Sequence, residues 1–183
     1  FLDNFPIYYL KLKCHSLMSS NRPTITTFGC RLNIWESEVI RKHATDAYLN
    51  NTVIFNTCAV TSEAEKQARQ AIRKIKREQP DKQIIVTGCA AQINPEKWNA
   101  MSEVDCVIGN HEKLLADSWQ RLRNNQLSGI EVTNISKVKE TASHMIDSFE
   151  EHTRGFLQIQ QGCNHRCSFC IIPYGRGQSR SVA

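Results

Sequence analysis

Residues 52–61 have the sequence Thr52-Val53-Ile54-Phe55-Asn56-Thr57-Cys58-Ala59-Val60-Thr61. The run Thr52–Asn56 is rich in β-branched and aromatic residues and therefore predicts a strand. A helix is predicted shortly after it, from Ser62 to Glu78, with Ser62 and Glu65 spaced as a capping box and Pro80 as the stop. A short strand followed closely by a long helix is the unit from which parallel sheets are built.

The same strand–helix unit recurs along the chain on both sides of this stretch. Strands are predicted at Thr24–Phe28, Thr52–Asn56, Gln83–Thr87 and Asp105–Ile108, and helices at 36–48, 62–78, 95–99 and 112–124. Repeated units with short strands indicate a parallel sheet that is covered by helices on both faces. We therefore predict a small doubly wound, flavodoxin-like α/β domain over residues 23–127.

The composition narrows the class of protein. The 183 residues include eight cysteines, 40% hydrophobic residues and a formal net charge of +5. This length allows one full domain and the start of another. Eight cysteines without a secretory signal point to a reducing compartment, here the cytoplasm, and to metal binding rather than disulfides. No run approaches about 20 consecutive apolar residues, so no membrane span is predicted.

The remaining segments differ from the α/β repeat. Residues 1–22 are apolar but interrupted by charges and Pro6, and they are predicted to be a disordered or read-through extension. Residues 128–153 are polar and interrupted, which predicts a linker with one strand at Gly129–Val132. Residues 154–183 begin with the apolar run Phe156–Ile159, a predicted strand, and would start a second domain.

Three cysteines occupy the same position in successive strand–helix units. Cys30, Cys58 and Cys89, here called the rim cysteines, each lie just past a predicted strand and just before a helix. Because the carboxyl ends of parallel strands meet at one edge of the sheet, these thiols are expected to converge and form a metal site. The alternative is that they are small hydrophobic residues covering the end of the sheet. Cys106 lies inside the fourth predicted strand and is interpreted as a core residue.

A second group of cysteines lies in the terminal loop Gln161-Gly162-Cys163-Asn164-His165-Arg166-Cys167-Ser168-Phe169-Cys170. Its C-x3-C-x2-C spacing can turn three thiolates toward one point, as a cuboidal iron–sulfur cluster requires. Three ligands for four irons leave one iron open to a non-protein ligand. The alternatives are a zinc knuckle with His165 as fourth ligand, and three unrelated thiols. Cys163, Cys167 and Cys170 are here called the terminal cysteines.

The terminal loop resembles a known family. C-x3-C-x2-C with an aromatic residue before the last cysteine is similar to the motif of the radical S-adenosylmethionine (SAM) enzymes. The longer string from Gly162 to Ser181 is similar to the methylthiotransferases among them, with Gly175 where alanine is commoner. Residues 27–33, 56–61 and 87–89, each holding one rim cysteine, resemble the three cysteine motifs of that family's N-terminal domain.

This resemblance implies two 4Fe-4S clusters and SAM as cofactors. The rim cysteines Cys30, Cys58 and Cys89 would ligate the cluster on which the sulfur to be transferred is held and methylated. The terminal cysteines Cys163, Cys167 and Cys170 would ligate the cluster that binds SAM and cleaves it to a 5′-deoxyadenosyl radical.

Three further residues receive roles. The resemblance implies that Phe169 is a neighbour of the SAM adenine. Arg176, which we assign to cofactor binding, and Arg180 follow the cluster loop directly. Two roles are open for them: they steer the anionic end of SAM or the RNA backbone, or they are surface charges on the first barrel helix.

The branch that residues 56–61 and 171–181 resemble most acts on N(6)-threonylcarbamoyladenosine in tRNA. It implies addition of a methylthio group to C2 of that nucleoside next to the anticodon. The implied partners are the tRNA, SAM and an electron donor such as flavodoxin or ferredoxin. The branches acting on isopentenyladenosine in tRNA or on a ribosomal protein aspartate stay open, as does a non-catalytic iron–sulfur or zinc-binding protein. The basic helix 62–78 would contact tRNA phosphates or be only a solvated face.

Thirteen residues follow Cys170. A (β/α) barrel of the radical SAM type needs several further strand–helix units to close. We therefore expect the first strand and cluster loop of an incomplete barrel, in a chain that binds one or two clusters without turning over SAM. A complementary chain is one way in which the rest of the barrel could be supplied.

Overall fold

The computed structural model describes residues 22–139 and 156–181, and most of this chain is an α/β domain. Five strands form its sheet: β1 (Thr24–Thr27), β2 (Thr52–Thr57), β3 (Gln83–Gly88), β4 (Cys106–Ile108) and β5 (Gly129–Glu131). Five helices accompany them: α1 (Arg31–Asp46), α2 (Ser62–Glu78), α3 (Cys89–Ile93), α4 (Pro95–Asn99) and α5 (Ala116–Arg123). Most of the predicted extension, residues 140–153 of the predicted linker and the first two residues of the predicted second domain lie outside the described residues.

The strands are all parallel and follow one another across the sheet in the order β1-β2-β3-β4-β5. The register places Ile54 of β2 between Ile25 of β1 and Ile85 of β3. Cys106 in β4 pairs with Gly129 in β5. Because every strand runs the same way, all five carboxyl ends lie along one edge of the sheet.

The two faces of the sheet carry separate hydrophobic cores. Successive residues of a strand point to opposite faces, and Ile54 accordingly packs with Ile40 of α1 and Trp119 of α5. Phe55 packs on the other face, with Ile72 of α2. A five-stranded parallel sheet covered on both faces confirms the predicted α/β class and fits the flavodoxin-like expectation.

The positions of these helices open a crevice at the carboxyl edge. The connection after β1 leads to α1 on one face, and the connection after β2 leads to α2 on the other. Neighbouring connections that leave toward opposite faces create the crevice in which open α/β sheets bind ligands. The turns that contain Cys30 and Cys58 stand on either side of this crevice.

The predicted boundary at residue 127 is wrong for the sheet. β5 was expected as an isolated strand in a linker, but it pairs with β4 and completes the sheet. The chain then continues through a 3-10 turn, Ile135–Lys137, in which Ile135 is buried. The α/β domain therefore extends into the stretch that polar composition alone had assigned to a linker.

Two helix boundaries also differ from prediction. Helix α1 begins at Arg31 rather than near Glu36, because Gly29 at φ 99° and an extended Cys30 turn the chain directly from β1 into the helix. The predicted helix 112–124 is broken into a 3-10 turn, Glu112–Leu114, and α5. The break lies at Leu115, whose φ of −98° and ψ of 123° are those of extended backbone.

The terminal segment, residues 156–181, packs onto the carboxyl edge of the sheet. It contains a two-residue strand β6 (Gln160–Gln161), a helix α6 (Ile172–Arg176) and a strand β7 (Arg180–Ser181) that is antiparallel to β6. The strand predicted at Phe156–Ile159 is not formed. Leu157 and Ile159 are exposed there, so this apolar run has no sheet to enter within the described residues. The radical SAM barrel therefore stays a prediction.

No helix among the described residues combines the length and the apolar composition needed to cross a membrane.

Candidate metal centre

The three rim cysteines lie where the sequence pattern predicts, at the carboxyl ends of β1, β2 and β3. Cys30 is the N-cap residue of α1, Cys58 directly follows β2, and Cys89 is the first residue of α3. All three line one cavity of about 230 Å³. Cys30 is exposed, Cys89 is half-buried and Cys58 is buried. The parallel sheet therefore brings together thiols that are separated by whole strand–helix units in the sequence.

The terminal segment supplies the opposite wall of this cavity. Gly162 and Arg176 line it together with the rim cysteines. A Cβ placed on Gly175 would lie 3.1 Å from the Cβ of Cys89 and 3.4 Å from its Sγ. The side chain of Asn110, which follows β4, donates through Nδ2 to the Gly175 carbonyl at 2.5 Å. Helix α6 is thus fixed directly over Cys89.

Gly29 leaves space for the thiol of Cys58. Its φ of 99° lies in the left-handed region that favours glycine. A Cβ at this position would lie 2.5 Å from both the Cβ and the Sγ of Cys58. Any side chain at residue 29 would therefore push Cys58 away from its place in the cavity.

The environment of Cys58 reflects both burial and the neighbouring thiols. Burial raises the pKa of the Cys58 thiol, and the nearby Cys89 and Cys30 raise it further. A hydrogen bond with the backbone of Val60 and the charge of Arg176 oppose this rise. The thiol is protonated at neutral pH unless an electrophilic centre displaces its proton, as a bound metal does.

The rim cysteines offer three sulfur ligands on the walls of one cavity. Within residues 22–139 and 156–181, no three His, Cys, Asp or Glu side chains are grouped closely enough to hold a single ion. Four-coordinate zinc would bring its sulfur ligands within about 4 Å of one another. Three soft sulfur donors are also the kind of ligand that an iron–sulfur cluster takes from a protein, and the predicted cluster stays a prediction.

A buried ionic group lies behind the rim cysteines. Glu36 of α1 is fully buried and accepts from Arg176 at one carboxylate oxygen and from Lys113 Nζ, 2.7 Å away, at the other. Burial raises the pKa of the Glu36 carboxyl, but the two cations outweigh it and hold this pKa below its usual range. We call Glu36, Lys113 and Arg176 the buried triad.

Two asparagines connect the buried triad to the strand ends. Asn56 accepts from Lys113 Nζ at 3.3 Å and donates to the backbone carbonyl of Asn33 at 3.0 Å. Asn33 donates to the carbonyls of Phe28 and Thr57, at 2.7 and 3.1 Å, and accepts from Arg176 at 2.5 Å. These bonds hold the turns after β1 and β2 in a fixed relation, and with them Cys30 and Cys58.

Arg176 and Arg180 are not surface charges, and that interpretation is wrong. Their exposed fractions are 2% and 7%. The Arg180 guanidinium donates to the carbonyls of Val138 and Arg176, both at 2.9 Å. Arg176 points to Glu36 and into the cavity of the rim cysteines, and its predicted contact with SAM stays a prediction.

The terminal cysteines lie in an open loop. Cys163 donates its N–H to the Gly177 carbonyl and Cys170 donates to Cys167, both at 3.0 Å. Cys163 and Cys170 are half-buried and Cys167 is exposed. Cys163 lines a separate cavity of about 260 Å³. The predicted cluster at this loop stays a prediction, as does the zinc alternative.

Phe169 of the same loop is 91% exposed, so its side chain is free to meet a ligand from outside. Its predicted place beside an adenine ring stays a prediction.

The basic helix α2 pairs several of its charges with acidic neighbours. Arg69 and Lys97 both contact the same oxygen of Glu65, at 3.2 and 3.1 Å. Lys76 lies 3.5 Å from Asp105. These partly exposed pairs favour the interpretation as a solvated face, and contact with tRNA phosphates stays a prediction.

Sequence reasoning missed the buried triad. Glu36 and Lys113 were each placed at the start of a predicted helix, 36–48 and 112–124, where charged side chains are normally exposed. Asn33 and Asn56 did carry a signal, because both lie within the quoted cysteine motifs. No local sequence pattern predicts that Glu36, Lys113 and Arg176, which are far apart in the sequence, meet in the interior.

Comparisons with known proteins agree with this geometry. A family model described as "Uncharacterized protein family UPF0004" matches residues 22–109, which include all three rim cysteines. The chain is 58% identical over 167 residues to "Threonylcarbamoyladenosine tRNA methylthiotransferase MtaB" of Rickettsia prowazekii, covering 91% of this chain and 39% of the relative. It is 38% identical over 166 residues to the Bacillus subtilis protein of the same name, covering 85% of this chain and 36% of the relative.

A protein with a different name matches less strongly. The "tRNA-2-methylthio-N(6)-dimethylallyladenosine synthase" of Mycobacterium bovis is 31% identical over 167 residues, covering 84% of this chain and 32% of the relative. The chain spans well under half the length of each of these relatives.

The parallel sheet, the rim cysteines and these matches define the class: the chain belongs to the methylthiotransferase family. Within this family it is most like the MtaB branch, since its identity to two members of that branch, 58% and 38%, exceeds the 31% to the differently named synthase.

Proposed function

We propose that the chain is part of a tRNA methylthiotransferase that adds a methylthio group to C2 of N(6)-threonylcarbamoyladenosine next to the anticodon. The names of its relatives in the MtaB branch support this substrate. The observation that carries the proposal is the convergence of Cys30, Cys58 and Cys89 on one cavity. Three thiols from different strand–helix units that line one cavity can act together by binding a common group.

The rim cysteines are the proposed ligands of one 4Fe-4S cluster. Thiolate sulfur is the ligand that such clusters take from proteins. Gly29 leaves the space that the Cys58 thiol occupies, and hydrogen bonds of Asn33 and Asn56 connect the turns after β1 and β2. Each thiol gives up its proton on ligation, which for buried Cys58 requires the metal to be present.

The terminal cysteines Cys163, Cys167 and Cys170 are the proposed ligands of a second 4Fe-4S cluster, beside which Phe169 would contact the adenine of SAM. When bound, the clusters and SAM supply the sulfur, the methyl group and the one-electron chemistry by which methylthio replaces hydrogen. Helix α6 follows the terminal loop and contacts Cys89, so it would link the two cluster sites.

The wider setting belongs to the same proposal. The tRNA, SAM and an electron donor such as flavodoxin or ferredoxin are the proposed partners, and the cytoplasm is the proposed location.

Anaerobic reconstitution with iron and sulfide tests the proposal. Wild-type chain is expected to take up about eight irons, two clusters' worth. Cys30→Ala and Cys167→Ala should each lose about half of that iron, while Cys106→Ala, which changes a buried core cysteine, should lose none. Zinc bound in place of iron would indicate a zinc-binding protein, and the absence of any bound metal would contradict the proposal.

The substrate is tested separately, by nucleoside mass spectrometry of tRNA treated with the reconstituted full-length protein, SAM and a reductant. Formation of the methylthio derivative from threonylcarbamoyladenosine is expected. Methylthio product formed from isopentenyladenosine instead would support the proposed class of enzyme but contradict the proposed substrate.

A further inference from the structure

The buried triad contains more positive than negative charge. Glu36 supplies one carboxylate, and Lys113 and Arg176 supply one cation each. Their side chains are at most 2% exposed. A buried charge without a partner is costly. Burial lowers the pKa of the Lys113 ammonium group, and its ion pair with Glu36 opposes this. With Lys113 protonated, the triad carries one positive charge that its own members do not neutralise.

This excess charge faces the rim cysteines. Arg176 lines their cavity, and no Asp or Glu of the described part of the chain lines it. Burial lowers the pKa of the Arg176 guanidinium, but Glu36 first and then Cys89 and Cys30 raise it above its ordinary value. Besides Glu36, the negative charges that act on Arg176 are therefore the thiolates of Cys89 and Cys30, once these are deprotonated.

We propose that the buried triad is the electrostatic counterpart of an anionic group bound at Cys30, Cys58 and Cys89, with Arg176 as its positioning residue. The identity of that group as a thiolate-ligated cluster rests on the proposed function above. A cluster held by three thiolates is anionic overall, and one excess cation behind it offsets that charge in a low-dielectric site.

Arg176 couples the charge of the buried triad to the position of the terminal segment. Glu36 and Lys113 belong to the α/β domain, whereas Arg176 arrives on α6 of the terminal segment. Without Arg176 the charges of Glu36 and Lys113 cancel. The cavity therefore favours an anion only while α6 is seated, held by Asn110 and by the contact with Cys89.

A pair of alkylating reagents tests this in the metal-free chain. Iodoacetate is anionic and iodoacetamide is neutral, so the ratio of their reaction rates at one thiol reports the local electrostatic potential. The thiolate fraction cancels in that ratio. Rates are followed at each cysteine by mass spectrometry, with exposed Cys167 as the reference.

Two variants break the same ion pair and should move the ratio in opposite directions. Arg176→Met removes one positive charge and is expected to lower the iodoacetate preference at Cys30 and Cys89 about threefold. Glu36→Gln removes one negative charge and is expected to raise it by a similar factor. Arg176→Lys keeps the charge and should keep the wild-type ratio.

A purely structural role gives a different result. Loss of packing would open the cavity to both reagents alike, in both variants. Ratios that stay constant, or that move the same way in Arg176→Met and Glu36→Gln, would overturn the inference.

Reconstituted protein gives a second readout. In the Cys167→Ala background, which leaves the rim cluster alone, the reduction potential should fall in Arg176→Met and rise in Glu36→Gln. If wild-type chain takes up no iron, the proposed function fails while the alkylation ratios still decide whether the cavity is built for an anion.

Discussion

Arg176 and Glu36 form a buried ion pair although 140 residues separate them in the sequence. The pair joins helix α6 of the terminal segment to helix α1 at the crevice of the sheet. Each partner also has a second contact: Arg176 donates to Asn33 at 2.5 Å, and Glu36 accepts from Lys113 at 2.7 Å. Breaking this pair should therefore disturb two turns, two helices and the cavity between them.

Removing one member of the pair should destabilise the fold. Arg176→Met is expected to lower the free energy of unfolding by about 3–5 kcal/mol, because a charged group is left in the interior with fewer partners. Glu36→Gln should do the same. The double variant should lose less than the sum of the two losses, since the second change no longer breaks the pair. Urea unfolding measures all three.

A matched control comes from an exposed ion pair. Arg121 and Glu131 lie 2.8 Å apart with side chains 38% and 32% exposed. Arg121→Met should leave the urea midpoint nearly unchanged. Additive losses in the Arg176 and Glu36 variants would show that the two side chains act independently.

The pH dependence of stability should report the Glu36 carboxyl. Although burial raises its pKa, Arg176 and Lys113 hold the pKa below the ordinary 4.5. The carboxylate consequently adds stability above pH 4.5, and this contribution is lost as the pH falls through the lower pKa of the folded state. Wild-type chain should thus lose stability relative to Glu36→Gln as the pH drops from about 5 to about 3. Parallel curves of stability against pH for the two proteins would contradict the role of Glu36.

His43 adds a separate loss of stability in both proteins. Burial lowers the pKa of its imidazole from 6.5, so this loss begins as the pH falls below that value.

The sheet and the rim cysteines were accessible to sequence reasoning because they follow local patterns. Apolar β-branched runs predict buried strands, and a repeated strand–helix spacing predicts parallel pairing. Parallel pairing in turn places every residue that follows a strand at the same edge. Cys30, Cys58 and Cys89 therefore needed no long-range information beyond the repeat itself.

The ionic interior was not accessible for the converse reason. Charged residues are mostly exposed, so Glu36 and Lys113 are expected at the surface of the helices predicted there. Their burial depends on meeting each other and Arg176, which only the assembled tertiary structure decides. The strand predicted at Gly129–Val132 is confirmed as β5, but its place in the sheet was not predicted, because three residues in a polar stretch pair with β4 only once the sheet exists.

Helix α2 illustrates a smaller error of the same kind. Its bounds were predicted correctly, but the capping residue is Thr61 rather than Ser62. The Thr61 hydroxyl accepts from the Ala64 N–H at 3.2 Å. Capping geometry depends on which residue takes the extended conformation, and two adjacent hydroxyl residues make that choice ambiguous in the sequence.

Thr61→Ala should therefore lower the free energy of unfolding by about 1 kcal/mol, because one N–H in the first turn of α2 loses its acceptor. Ser62→Ala, one residue further on, is the control and should change stability by less than about 0.5 kcal/mol. Urea unfolding distinguishes them. A larger effect at Ser62 would show that the cap lies where the sequence alone suggested.

The reactivity of the cysteines should separate core from site. Burial in β4 raises the pKa of the Cys106 thiol to about 12, with Glu131 and Asp105 adding to the rise. Because the thiolate is the nucleophile, Cys106 should stay unmodified by iodoacetamide at neutral pH while exposed Cys30 reacts. Mass spectrometry of the native and urea-unfolded chain gives both rates. Fast modification of Cys106 in the native chain would contradict its place in the core.

Gly29 and Gly129 both have a left-handed backbone, and comparing alanine at the two positions separates backbone strain from side-chain crowding. Gly29 has φ 99° and Gly129 has φ 73°, so alanine costs backbone strain of about 1–2 kcal/mol at either position. Only at Gly29 would the new Cβ collide with a side chain, that of Cys58, whereas at Gly129 the nearest atom, Asn99 Oδ1, is 4.0 Å away.

Both alanine variants should therefore lose stability, with Gly29→Ala losing about 1–3 kcal/mol more than Gly129→Ala through overpacking. After reconstitution, Gly29→Ala should retain only about half of the iron, because the displaced Cys58 can no longer serve the rim cluster while the terminal cysteines are untouched. Gly129→Ala should retain all of it. Equal iron in the two variants would mean that Cys58 is not held as a ligand, and the assignment of the rim cysteines would fall with it.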